Sequence, residues 1–142
     1  MGPLDIDPKA APSELKAILA ACEAKASEQN VGISGSTATL THISTTGMIT
    51  AASVGDAPAL FLAKDKITAD VTMVPLTRDH EPNHFFEQSR IYNNKGEVSS
   101  GRVYPSKLNL TRAIGDFWLK QPPVKWSSVM NPMWFSLMPV CI

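Results

Sequence analysis

His80 and His84 stand four residues apart, a spacing that can place two imidazoles on one helix face as metal ligands. Pro82 lies between them and opposes a regular helix across both, and no cysteine or third histidine is near, so packing roles outweigh metal binding. His42 sits in an alternating stretch and reads as a packed or exposed strand residue. Asp56 and Asp116 each follow a glycine. A carboxylate there accepts hydrogen bonds from a turn, and alone it is a poor divalent site because Mg2+ gives up its water reluctantly. Gly35, Gly55 and Gly115 read as bends or close backbone approaches. Cys22 and Cys141 lie far apart without CxxC spacing, which gives neither a disulfide framework nor a zinc site and fits a reducing compartment.

The elements that must hold these residues follow from periodicity. Pro3, Pro8 and Pro12 mark residues 1–12 as an extended arm. Ser13 reads as an N-cap, and Leu15, Ile18, Leu19, Cys22 and Ala26 recur at helical spacing over 14–28. Asn30 and Gly32 end that helix. Strand patterns follow at 37–43, at 48–54 as a mostly apolar run suited to burial on both faces, and at 59–63, with a further strand within 67–74. The first three, with short connections, predict an antiparallel meander. A short helix opens near Pro82-Asn83 and runs through Ile91, ended by the turn Asn93-Asn94-Lys95-Gly96. Val98 and Val103-Tyr104 flank a Ser-Ser-Gly hairpin loop. After Lys120 the composition changes: Pro122-Pro123 break any element, and Trp126, Met130, Trp134 and Phe135 follow with neither helical nor strand period.

Composition narrows the class. The 142 residues make one domain, and 44% hydrophobic with 18% charged is a globular balance. Thirteen basic and thirteen acidic residues cancel, which gives no nucleic-acid footprint and no polybasic membrane patch. No secretory leader is visible, and no apolar run approaches the roughly 20 residues of a membrane span. The default expectation is a cytoplasmic or nuclear protein.

Several blocks, taken together, resemble one family. They are Gly35-Ser36-Thr37-Ala38; Ala52-Ser53-Val54-Gly55-Asp56-Ala57-Pro58-Ala59; Leu76-Thr77-Arg78-Asp79-His80-Glu81-Pro82; Glu87-Gln88-Ser89-Arg90-Ile91; Gly96-Glu97-Val98; and Leu110-Thr111-Arg112-Ala113-Ile114-Gly115-Asp116. In order and spacing this is similar to the patterns of metal-dependent protein serine/threonine phosphatases of type 2C (the PPM family). The resemblance implies an α+β fold, an incomplete PPM-type α-β-β-α sandwich of antiparallel sheets flanked by helices, truncated at both ends. It divides the chain into the arm at 1–12, a partial phosphatase-like domain at 13–120 and an apolar tail at 121–142 unrelated to the family pattern.

For the family, the resemblance implies hydrolysis of phosphoserine and phosphothreonine in proteins by water activated on Mg2+ or Mn2+. Hard divalent ions want several carboxylate oxygens, and a pair of them acidifies water and neutralises the phosphoryl charge. The family's main ligand motifs, "DGHGG", "SDG" and "DN", do not occur here. Only Asp56, in the "GD" block, has a counterpart as ligand of an additional, weaker metal. Arg112 and Asp116 read as structural, ion-paired or turn-capping. Pro58 departs from the family's usual arginine, and Thr111 from its usual serine. The expectation is a type 2C-like chain, inactive alone, that holds no metal stably. The alternatives are a non-catalytic regulatory or binding module, a pseudoenzyme in that sense, and a truncated gene product without independent function; the apolar tail is the expected surface for a protein partner.

Overall fold

Pro12 sits in the first turn of helix α1 (Ala11–Glu28), where its fixed φ suits the helix and its missing N–H costs nothing. The computed structural model describes residues 6–7, 9–94, 96–104 and 107–120 and the backbone of 138–140. The expected apolar tail lies largely outside these residues; of the arm expected over 1–12, residues 11 and 12 already belong to α1, and the Asp7 carbonyl turns the chain into it by accepting the Ala10 and Ala11 N–H groups at 2.9 Å. The helix begins three residues before the expected start. Ala10 is the N-cap without a side-chain bond, and Ser13, expected to cap, instead donates its hydroxyl to the Ala10 carbonyl at 2.8 Å. Leu15 and Leu19 on its buried face pack with Ala52 and Val54, flanked by Ile18, Leu40 and Ile114. Each fully buried leucine stabilises by about 1.5–3 kcal/mol.

Strand β1 (Gly35–Ser36) precedes β2 (Ala38–Ile43), which pairs antiparallel with β3 (Ile49–Val54) from Ala38↔Val54 to Ile43↔Ile49. Ser44 closes their turn by accepting the Met48 N–H on its hydroxyl at 2.9 Å. Every residue of β3 is buried, as its apolar run predicts. Its even positions, Ala52 and Val54, face α1, and its odd positions, Ile49 and Ala51, face a second layer.

That second layer corrects the expected meander. Strand β4 (Leu60–Lys64) pairs with β5 (Val71–Pro75), not with β3. Gly55, at φ +101°, bends the chain off the first sheet. The hairpin then lies over β3, with Ala59, Phe61 and Leu76 against Ile49 and Ala51. The strand expected over 67–74 starts only at Val71, because the Asp65 carboxylate takes the N–H groups of Ile67 and Thr68 at 2.7 and 2.8 Å and ties them into a turn. The hairpin's outward face carries Leu60, Leu62, Val71 and Met73, all exposed.

Helix α2 (Phe85–Asn93) follows, then a hairpin of β6 (Glu97–Ser99) and β7 (Arg102–Tyr104). Ser100 and Gly101 both have positive φ, as a tight two-residue hairpin loop requires. Strand β8 (Ile114–Gly115) returns to pair with β1, and a 3-10 turn (Phe117–Leu119) ends the continuous stretch. Strand β9 (Met138–Val140) adds antiparallel to β3, giving the order β2-β3-β9. Helix, sheet and hairpin thus stack in layers, an α+β arrangement of small antiparallel sheets. Among the described residues no helix is long and apolar enough to cross a membrane.

Candidate functional site

Glu87 lies in the first turn of α2, yet it is only 4% exposed. A buried carboxylate persists only when its charge is paired and its lone pairs are filled. Arg112 supplies most of this. Its Nε–H lies 3.1 and 3.0 Å from the two carboxylate oxygens, and its Nη2 donates to Oε1. Arg90, one turn along α2, donates from Nη2 to Oε2 at 2.7 Å, and from the same nitrogen to the Thr111 carbonyl at 3.0 Å. The Thr111 hydroxyl stands 2.6 Å from Oε2. Burial alone would push the Glu87 carboxyl up; the bonds from Arg112, Thr111 and Arg90 outweigh it and hold the group at about 2. Burial also lowers the Arg112 pKa from its ordinary value, with Glu87 opposing.

The network continues to the bend after β3. The His80 carbonyl accepts the Thr111 N–H at 2.7 Å and lies 3.0 Å from the Thr111 hydroxyl, which has one proton to divide between His80 and Glu87. His80 then holds Gly55 on both sides: its N–H donates to the Gly55 carbonyl at 3.0 Å, and its Nδ1 accepts the Gly55 N–H at 3.1 Å. Burial, aided by the charge of Arg112, lowers the His80 pKa to about 4, so the ring is the neutral acceptor this bond requires. Gly55 itself has no room for a side chain, since a Cβ would run into Thr37.

A second tie joins α1 to the 113–120 segment. The Glu23 carboxylate accepts the Gly115 N–H at 2.8 Å and pairs with Lys120 Nζ at 2.9 Å. Lys120 also donates to the Ala113 carbonyl at 2.8 Å. Asp116 adopts the left-handed conformation at φ 51° and donates its N–H to the Ser34 carbonyl at 2.8 Å. Its carboxylate occupies the space a Gly35 side chain would need, and burial raises its pKa against the opposing pull of Lys120.

These contacts place each residue singled out in the sequence. Arg112 is ion-paired. Asp116 stands at the N-cap of the 3-10 turn but makes no side-chain capping bond; its carboxylate is hydrogen-bonded by the Trp118 side chain. His80 is a buried hydrogen-bond acceptor, and His84 is the N-cap of α2 with its ring stacked on Phe86 at 5.7 Å. Asp56 is half-buried, and its carboxylate has no hydrogen bond or ion pair among the described residues, so the expected turn hydrogen bonds do not form there. The N80–H···O55 bond sets the peptide unit before His80 against the one after Gly55, which brings Asp79, also half-buried, to the same bend as Asp56. Among the described residues no three His, Cys, Asp or Glu side chains converge on one point.

Two residues escaped notice in the sequence. Glu87 looks like an exposed helix acid, and only its i,i+3 relation to Arg90 hints at a pair. Thr111 looks like a mild substitution. Apart from Arg90, the side-chain partners of Glu87 are 24 and 25 residues away in sequence, beyond the reach of local spacing.

Comparison with known proteins fits this arrangement. The family model for Protein phosphatase 2C matches residues 9–133. Probable protein phosphatase 2C 11 of Oryza sativa subsp. japonica is 46% identical over 61 residues, 40% of this chain and 17% of that protein. Protein phosphatase 2C homolog 2 of Schizosaccharomyces pombe is 40% identical over 96 residues, 65% of this chain and 24% of that protein. Probable protein phosphatase 2C 21 of Arabidopsis thaliana is 48% identical over 46 residues, 32% of this chain and 13% of that protein. The chain therefore spans a quarter or less of the length of each of these relatives.

Proposed function

This chain belongs to the protein phosphatase 2C family, and from that premise we propose that it forms a scaffold segment of the phosphatase fold without hydrolysing phosphate esters alone. The observation that carries the proposal is the buried network on Glu87. The "ExxRI", "DHxP" and "RAxGD" blocks meet there and, through His80 and Gly55, hold the "GD" block as well.

In a whole enzyme of this kind, two bound Mg2+ or Mn2+ ions supply an acidified water and neutralise the phosphoryl group of a phosphoserine or phosphothreonine protein. Of this chain's residues, Asp56 would hold one such ion, bound weakly and mostly through its waters. Its part is to orient that ion at the bend that His80 fixes.

The purified chain, given Mg2+ or Mn2+ and a phosphothreonine peptide, is expected to release no phosphate above the buffer blank. Release that depends on metal and disappears in Asp56→Ala would overturn the reading. The outward apolar face of β4–β5 favours a second reading, a non-catalytic binding module. Stoichiometric capture of a phosphatase subunit, lost in Leu62→Lys, would favour that one.

A further inference from the structure

Strand β3 has a different neighbour on each edge. Strand β2 lies along its whole length, whereas β9 covers only Ile49, Thr50 and Ala51. The Ser44 N–H donates to the Met48 carbonyl at 2.9 Å. Antiparallel pairs alternate between bonded and non-bonded, so the ladder to β2 runs through Thr50, Ala52 and Val54. The backbone groups of Ile49, Ala51 and Ser53 therefore point to the opposite edge. There Val140 stands opposite Ile49 and Met138 opposite Ala51, while Pro139 stands opposite Thr50. This register puts the residue without an N–H where the ladder needs none, with its nitrogen turned away from β3. Ser53 meets no strand on that edge among the described residues, and its buried hydroxyl has no hydrogen-bond partner among them.

The sequence of β3 explains why its edge needs a cover. Ile49-Thr50-Ala51-Ala52-Ser53-Val54 carries no charge, no proline and no glycine, and half of it is β-branched. A short segment of this kind pairs with copies of itself when its edge is open. We propose that the β3 edge is a self-pairing surface for a second copy of this chain, kept closed by β9. Met138 and Val140 fill the backbone bonds of Ile49 and Ala51, and Pro139 ends the sheet because the edge beyond β9 lacks a donor at its centre. The partner is the β3 segment of the second copy. Two uncharged edges with the same donors and acceptors can meet across a two-fold axis.

The test uses the full chain carrying Leu62→Lys and Met73→Glu, so that the apolar face of β4–β5 does not drive association. In this protein the Ile49 and Ala51 amides should be protected from hydrogen exchange. Adding Met138→Pro withdraws the donor to the Ala51 carbonyl. Protection at Ile49 and Ala51 should be lost in the dilute monomer, and association should set in at protein concentrations about tenfold or more lower. Pro139→Val leaves the bonds to β3 in place and adds an outward N–H. It should also raise association, with Ile49 and Ala51 still protected. Unchanged amide shifts in α1 and β2 establish that each variant is folded. Fast exchange of Ile49 and Ala51 in the starting protein would overturn β9 as the cover. A folded Met138→Pro protein that loses their protection and associates no more than the starting protein would overturn the self-pairing surface. Should Met138→Pro fail to fold, Pro139→Val decides: association no greater than that of the starting protein would refute the closing role.

Discussion

Glu87 and Arg112, 25 residues apart, meet as a buried, multiply hydrogen-bonded ion pair in which Arg112 reaches both carboxylate oxygens. The pair joins the first turn of α2 to the segment that leads into β8. Arg90 and Thr111 complete the carboxylate's partners, and through Thr111 and His80 the same network reaches Gly55. An ion pair this deep costs desolvation that its Coulomb attraction barely repays, so its contribution is greatest in fixing which segments meet.

Thr111→Val tests the smallest member of the network. It keeps the shape and removes the hydroxyl shared between Glu87 and His80. A hydrogen bond to a charged group contributes about 1.5–3 kcal/mol, and a loss of that size is expected in urea unfolding. Thr111→Ser keeps the hydroxyl and should recover most of it.

Acid should weaken the fold in two stages. The His80 pKa is lowered from 6.5 to about 4, so the unfolded chain binds the extra proton first. Stability is full above pH 6.5 and falls as pH drops through 4. The Glu87 pKa is lowered from 4.5 to about 2, so its share is present above pH 4.5 and is lost as pH drops through 2. Unfolding free energy measured from pH 8 to pH 3 should decline from the first window onward. His80→Leu should flatten the decline between pH 6.5 and 4, and an unaltered slope in that variant would refute the assignment.

The glycines at bends are not equivalent. Gly55→Ala places a Cβ against Thr37 at φ +101°, and a loss of about 2 kcal/mol or more is expected from strain and contact together. Gly47→Ala, at φ +83° with open space around it, should cost about 1 kcal/mol. Thermal unfolding of both variants gives the comparison.

The hairpin β4–β5 presents Leu60, Leu62, Val71 and Met73 to solvent, with Ile67 95% exposed at its tip. Such a face promotes self-association. Leu62→Lys with Met73→Glu should raise the soluble, monomeric fraction in size-exclusion chromatography without lowering the unfolding midpoint. A fall in midpoint would show that the face packs against something within the chain.

Much of this was legible in the sequence. Helix α1, the doubly buried β3 and the β6–β7 hairpin follow from period and turn residues, because each is set by local patterns. The α+β class and the family follow from ordered blocks. The meander was not readable correctly, because pairing of β4 depends on a bend at Gly55 whose φ is imposed by His80, 25 residues on. The network on Glu87 was hidden for the same reason. Arg112 was recognisable as a structural ion-pair residue, but nothing in its neighbourhood names Glu87.

That the family blocks of this chain are joined at one buried carboxylate is tested most directly by a double-mutant cycle on Glu87 and Arg112, using Glu87→Gln, Arg112→Met and the double variant in urea unfolding. Each single change should be strongly destabilising, since breaking a buried pair costs about 3–5 kcal/mol. The double variant should recover part of that loss, with a coupling of about 2 kcal/mol or more. Additive effects, with coupling below about 0.5 kcal/mol, would contradict the account.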